Sequence, residues 1–250
     1  MATNLSVNLN KIALLRNQRD LPYPSVTEMA RICIDAGCQG ITVHPRPDER
    51  HITRQDVREL RALLKGHTEI EFNIEGYPSE DFLELVAEVR PEQVTLVPDA
   101  PGQKTSDHGW DIPANRALLE AVIKRLHSQS ARVSLFIDAD PQMAVEAASV
   151  GADRIELYTG PYHFALMRGE DDRILPSYRA AADAAQRAGL GVNAGHDLNL
   201  DNLAKFIAAV PQVAEVSIGH ALTADALVMG MANAVSAYLA VLREAAPKAS

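Results

Sequence analysis

Three apolar runs of this chain end on a histidine: Gly40-Ile41-Thr42-Val43-His44, Gly191-Val192-Asn193-Ala194-Gly195-His196 and Val216-Ser217-Ile218-Gly219-His220. A strand that finishes this way puts an imidazole on one rim of a sheet, and imidazole takes up and releases protons near neutrality. The first run continues as Pro45-Arg46-Pro47-Asp48-Glu49-Arg50-His51-Ile52-Thr53, so two histidines and two arginines crowd one strand-to-helix loop. Guanidinium binds phosphate bidentately. The combination points to an enzyme site that moves protons on phosphorylated, carbonyl-type substrates.

Two anion sites are expected. Gly195-His196-Asp197 and Gly219-His220-Ala221 place a glycine, which lets backbone approach an oxygen closely, beside an imidazole and ahead of a helix start whose N–H groups can face an anion. Arg16, Arg19, Arg46 and His51 form the second cluster. Two clusters imply two phosphorylated ligands.

Short β-rich runs alternate with longer amphipathic ones along the chain and must hold these groups. Strands are expected over Leu5 to Leu9, Gly40 to Val43, Glu69 to Asn73, Gln93 to Leu96, Arg132 to Ile137, Arg154 to Leu157, Gly191 to Asn193 and Glu215 to Ile218. Helices are expected over Val26 to Asp35, Arg54 to Leu64, Ser79 to Val89, Pro113 to Leu126, Pro141 to Val150, Pro176 to Ala188, Leu200 to Ala209 and Ala221 to Glu244. Several open on a Ser, Thr or Asp cap or an early proline, and three end in Ala-Gly or Val-Gly. Eight βα units in 250 residues is about 31 per unit, the size of one step of a closed, parallel (β/α)8 TIM barrel in a single domain, residues 1–250. An open doubly wound sheet is the alternative; it would carry a glycine-rich loop after its first strand, and Asn8 to Arg16 contains no glycine.

In such a barrel the reactive groups gather at the carboxyl ends of the strands. Going round, the rim then carries Asn8, Asn10 and Lys11; His44, Arg46 and His51; Asn73 and Glu75; Thr105; Asp138 and Asp140; Thr159-Gly160; Asn193 and His196; and Gly219-His220. Asp138 and Asp140 have a second reading, as caps of the helix at Pro141.

Charge and composition narrow the partners. Lys+Arg of 24 against Asp+Glu of 33 gives a net charge of −9, which argues against nucleic acid or an anionic membrane. No run approaches the roughly 18 apolar residues of a membrane span, and the chain enters its first strand without a charged leader, so a cytoplasmic protein is expected. Cys33 and Cys38 are off the usual zinc spacings and read as reduced, buried thiols. No His-x-x-x-His pair lies on a helix, and arginines stand beside the strand-end histidines, so no metal is expected.

The segments Val7 to Asn17, Gly40 to Thr53, Val133 to Asp140, Val192 to His196 and Ile218 to Ala221 resemble those of the pyridoxine 5'-phosphate synthase family, nearly end to end. Thr42-Val43-His44 followed by Arg46 and by Arg50-His51-Ile52-Thr53 is the specific part. The resemblance implies a (β/α)8 barrel that joins 1-deoxy-D-xylulose 5-phosphate to 3-amino-2-oxopropyl phosphate, forming the vitamin B6 ring with release of phosphate and water and needing neither metal nor organic cofactor. It implies His44 as proton acceptor, Glu75 as second general base and His196 as proton donor. Glu69, Glu71 and Glu75 all lie near; the Asn73-Ile74-Glu75 pattern favours Glu75, with Glu71 the fallback. Substrate contacts are implied at Asn8, Asn10, Lys11, Arg19, Arg46, His51, Thr105, Asp197, Gly219 and His220. Asn10-Lys11 departs from the family's common Asp-His, and Asp197 stands where glycine is common. The resemblance also implies a homo-oligomer, an octamer built from dimers, and the last helical stretch has apolar residues for both core and contact.

Two other functions stay open. A barrel aldolase or isomerase would share the rim, but a Schiff-base aldolase wants a lysine on a central strand and none of the expected strands has one. A phosphate-ligand sensor would need the arginines and glycine loops without the set Glu75, His44 and His196.

Overall fold

The computed structural model describes residues 3–99, 103 and 105–245 of the chain. Eight parallel strands close into a barrel: β1 (Asn4–Asn8), β2 (Gly40–Val43), β3 (Glu71–Gly76), β4 (Gln93–Leu96), β5 (Arg132–Ile137), β6 (Arg154–Tyr158), β7 (Gly191–Gly195) and β8 (Val213–Ile218). Neighbours pair in chain order, and β8 returns to β1 with Val7 opposite Ile218. Around them lie α1 (Asn10–Arg16), α2 (Val26–Asp35), α3 (Arg54–Leu64), α4 (Glu80–Val89), α5 (Ile112–His127), α6 (Pro141–Ser149), α7 (Gly160–Met167), α8 (Asp171–Arg187), α9 (Leu203–Ala209), α10 (His220–Met229) and α11 (Met231–Ala245). Among the described residues no helix is long and apolar enough to cross a membrane.

The strands alternate by design of their side chains. Leu5, Val7, Ile41, Val43, Phe72, Ile74, Val94, Leu96, Val133, Leu135, Ile155 and Leu157 are buried against the helices and supply the apolar core. The intervening residues are polar and face the barrel axis: Gln93 Nε2 donates to Glu215 Oε1 at 3.3 Å and Asn193 Nδ2 to Gln93 Oε1 at 3.4 Å, contacts that span strands far apart in the ring. Arg132 pairs with Glu71, Arg154 Nη1 donates to Asn193 Oδ1 at 2.8 Å, and Thr95 Oγ1 donates to Asn73 Oδ1 at 3.1 Å. Asn73 and Asn193, expected on the rim, are therefore interior residues of β3 and β7.

Caps set the helix starts as the residue types imply. Ser25, Ser79, Asp111 and Asp140 each accept a backbone N–H from the first turn, and Thr53 with Asp56 completes a capping box. Asp140 thus caps α6. Several boundaries differ from expectation. β3 begins and ends later, so Glu75 lies within the strand, and β7 runs on to Gly195. α8 starts at Asp171, ahead of Pro176, because a proline there removes only one backbone bond while Lys205 pairs with Asp171 and Asp172 at the helix start. The single long last helix is two, divided at Gly230, whose φ of +83° suits glycine. α1 and α7 are additional. Cys33 and Cys38 are buried free thiols, and burial pushes both upward.

Candidate active site

A cavity of about 570 Å³ opens at the carboxyl ends of the strands. Asn8, Asn10, Lys11, His44, Arg46, His51, Glu75, Thr105, His196, Asp197, Gly219 and His220 all line it. Of the implied contacts only Arg19 does not; it is exposed on the turn after α1. Arg16 is also directed elsewhere, forked onto Asp56 of the α3 capping box with Nη2 to Oδ2 at 2.8 Å. The expected four-membered cation cluster therefore contributes Arg46 and His51 to the cavity, and Lys11 and Arg50 join them.

The first wall is built from β1, β2 and β3. Asn8 Oδ1 accepts the Asn10 backbone N–H at 3.0 Å, and Asn10 Oδ1 accepts that of His44 at 2.8 Å, so the two asparagines hold the loop that presents His44. Asn8 Nδ2 donates to Glu75 Oε2 at 3.4 Å, and His44 Nδ1 lies 3.9 Å from the same oxygen. Burial, Arg46, His51 and His196 hold His44 well below the ordinary histidine value, which leaves it neutral and able to accept a proton. Burial pushes the Glu75 carboxyl up to about 7; His196 opposes this, Asp99 adds to it and Arg46 opposes it. His51 is lowered to about 4, chiefly by burial and then by Arg46. Its Nδ1 accepts the Ile52 N–H at 2.9 Å, so the neutral ring carries its proton on Nε2.

The opposite wall carries His196, whose Nε2 is 3.2 Å from Thr105 Oγ1 and whose Nδ1 is 3.7 Å from Asp197 Oδ2. Its ring packs edge-on to Tyr158, with centroids 5.4 Å apart, and against Phe136 at 6.1 Å. The neighbouring His196 imidazole holds the Asp197 carboxyl below its usual value. A carboxylate in place of the common glycine is thus turned to an imidazole.

Between the walls, at the floor, lies Glu156 of β6, a residue the sequence reading passed over. Burial, then Glu75 and Glu215, raise its carboxyl well above the usual range, which favours the protonated form in the floor. A Cβ on Gly195 would come within 2.4 Å of Glu156 Oε1, which is why β7 ends on glycine. The signal was a charged residue at an inward position of Arg154-Ile155-Glu156-Leu157-Tyr158. Phe136, Tyr158 and Ser217 line the cavity for the same reason of alternation.

Arg46 closes the remaining side. Its guanidinium pairs with buried Asp99 at 2.5 Å and donates to the Gln103 carbonyl at 3.0 Å, while Ser106 Oγ donates to Asp99 at 2.8 Å. Residues 100–102 and 104 of the long loop after β4 lie outside the described residues. Its far end is anchored by Trp110, whose Nε1 donates to the Leu96 carbonyl at 2.9 Å.

The buried acids make stability depend on pH. Glu215, below the cavity, is pushed up to about 8 by burial and by Glu71. Such a carboxyl keeps its proton in the fold while the unfolded chain releases it near 4.5, so stability is lost as pH rises through about 8. The lowered His44 and His51 act oppositely, but only below about 6.5. Unfolding free energy is therefore expected to fall from about pH 6.5 to 8.5, by up to about 1.4 kcal/mol per pH unit for each such group, and Glu215→Gln to flatten the slope. Urea melts across that window check it; a rise would contradict it.

The cavity thus sets a neutral imidazole and a base near neutrality opposite a second imidazole, with a buried carboxyl of raised proton affinity below and cations at the mouth. The family of the pyridoxal phosphate biosynthesis protein PdxJ matches residues 5–244. A pyridoxine 5'-phosphate synthase from Mesorhizobium japonicum is 56% identical over 241 residues, 96% of this chain and 98% of that one. One from Albidiferax ferrireducens is 54% identical over 244 residues, covering 96% and 97%. Phosphoribosyl anthranilate isomerase from Thermotoga maritima superposes with a TM-score of 0.59 at 14% identity over 96% of this chain and 99% of that one, a likeness of fold alone. A match across nearly the whole chain, on a barrel whose mouth assembles the expected acid–base residues, means that this protein is an enzyme and belongs to the PdxJ family of pyridoxal phosphate biosynthesis proteins.

Proposed function

We propose that this enzyme condenses 1-deoxy-D-xylulose 5-phosphate with 3-amino-2-oxopropyl phosphate into pyridoxine 5'-phosphate, releasing phosphate and water, by acid–base catalysis without metal or organic cofactor. The observation that carries this reading is the placement of neutral His44 3.9 Å from Glu75, with His196 across the same cavity. Amine addition to a ketone, loss of water and phosphate, and closure of an aromatic ring are chiefly proton transfers. His44 and Glu75 take protons from nitrogen and carbon; His196 returns one to a departing oxygen.

Glu75 is favoured over Glu71 by position. Glu75 lines the cavity, whereas Glu71 is paired with Arg132 four residues deeper in β3, toward the opposite end of the barrel. The substrates' phosphates are assigned to two places. One is the start of α10, where Gly219 is the N-cap with no side chain occupying the first-turn N–H groups. A Cβ there would lie 3.0 Å from Asn8, so glycine keeps that approach open. The other is the rim of Lys11, Arg46 and His51, with Asn8, Asn10, Thr105, Asp197 and His220 completing the contacts. Lys11 has no ion-pair partner among the described residues, whereas Arg46 is already paired with Asp99. Lys11→Ala is therefore expected to raise KM by roughly tenfold or more with kcat within a few fold, measured by steady-state titration of each phosphate. A collapse of kcat at unchanged KM would move Lys11 from binding to chemistry.

The assembly is proposed to be a homo-oligomer, an octamer built from dimers, in the cytoplasm, with no nucleic-acid or membrane partner. Leu15, Tyr23, Leu227 and Val228 leave apolar surface exposed around α1 and α10. Sedimentation at micromolar concentration is expected to show the assembly; a stable monomer would remove it.

A further inference from the structure

His196 and Asp197 are consecutive non-glycine residues in the left-handed region, with φ of +80° and +58°. L side chains rarely adopt that conformation, so something outside the turn must hold it. Thr159, the residue following β6, supplies the hold. Its hydroxyl is fully buried and shares its one proton between the carbonyls of Gly195, at 2.6 Å, and His196, while its backbone N–H donates to Gly195 O at 3.0 Å. Asn202 continues the series: its buried Nδ2 donates to the Asp197 carbonyl at 3.0 Å. Three successive carbonyls are thus fastened on one side of the turn whose other side lines the cavity.

Thr159 is also the N-cap residue of α7, where a threonine hydroxyl ordinarily accepts a first-turn N–H, and here it makes no such bond. The hydroxyl is directed away from its own helix and onto the neighbouring strand's exit. The next residue back, Tyr158, meets the His196 ring edge-on at 5.4 Å. One short segment therefore grips both the backbone and the ring of His196.

We propose that Thr159 is a positioning residue for His196: its hydroxyl fixes the left-handed turn that aims the imidazole at the reacting atoms. This rests on the assignment of His196 as proton donor. An acid displaced by about 1 Å loses much of its effectiveness although substrate still binds.

The test uses Thr159→Val, which keeps the branched shape and removes the hydroxyl, Thr159→Ser, which restores it, His196→Asn, and the Thr159→Val/His196→Asn pair. Each is measured as the full-length enzyme for kcat, KM and thermal melting. Thr159→Val is expected to lower kcat roughly 10- to 100-fold with KM changed by less than about threefold, and Thr159→Ser to return kcat to within a few fold. The paired variant should lose no more than His196→Asn alone, because Thr159 acts through that ring. Near-normal kcat in folded Thr159→Val, or a further loss of the same size when His196 is already absent, overturns the proposal. If Thr159→Val fails to fold, an unrecovered kcat in a folded Thr159→Ser overturns it equally. Full turnover by His196→Asn would instead overturn the assignment of His196 itself.

Discussion

Glu75→Gln is expected to lower turnover by roughly two to four orders of magnitude while leaving KM for both phosphates little changed. Glutamine keeps the shape and still accepts the Asn8 hydrogen bond at Oε, but it cannot take a proton. The carboxyl is well suited to that task, since burial holds it near 7, where it is both substantially ionised and basic enough to receive a proton from carbon. The rate should accordingly fall as pH drops below about 7, because protonation removes the base. Glu71→Gln should do much less to turnover, since that carboxylate neutralises Arg132 away from the cavity; its effect belongs in stability. Steady-state kinetics of the two variants side by side distinguish the assignments. Full activity in Glu75→Gln with loss in Glu71→Gln would transfer the base to Glu71, and activity in both would remove carboxylate base catalysis.

His44→Asn and His196→Asn should each bring a loss comparable to that of Glu75→Gln. Asparagine preserves a polar contact but ends proton exchange, and the two rings serve opposite directions of transfer. His44 is neutral, beside Glu75 and among the cations Arg46 and Arg50, which fits acceptance. His196 sits between Thr105 and Asp197, with its carboxylate neighbour on Nδ1, which fits return of a proton from the other face. Single-turnover measurements should show chemistry slowed in both variants with binding retained. Substrate binding lost in proportion to rate would instead make either histidine a binding group.

The barrel was legible because eight short apolar runs alternate with capped amphipathic ones at a constant spacing. β2, β4 and β5 have the expected limits, as do α2 and α3. What alternation alone did not resolve is where the second face of each strand goes. With the third and seventh strands expected to end at Asn73 and Asn193, those residues fall on the rim and Glu156 passes unnoticed; β3 and β7 run on past them, so the two asparagines face the axis inside the barrel and bond Thr42 and Arg154 of neighbouring strands. The later end of β3, at Gly76, likewise makes Glu75 a strand residue, and its side chain lines the mouth. Arg16 illustrates a different limit: its sequence neighbourhood matches the cations of the rim, but α1 rotates it toward Asp56 on α3, and no linear spacing encodes that turn. His196 was found from the strand-end pattern, while the Thr159 hold on it joins positions 36 and 37 residues apart and becomes visible only with β6 beside β7.

The central claim is a ring-forming condensation of two phosphorylated substrates at this cavity. The most direct measurement incubates the purified full-length protein with 1-deoxy-D-xylulose 5-phosphate and 3-amino-2-oxopropyl phosphate, without added metal or cofactor, and follows pyridoxine 5'-phosphate and released phosphate together. The account predicts both products in equal amounts, dependent on both substrates and lost in Glu75→Gln. Binding of both phosphates with no ring product, or release of phosphate that needs only one of them, would contradict it.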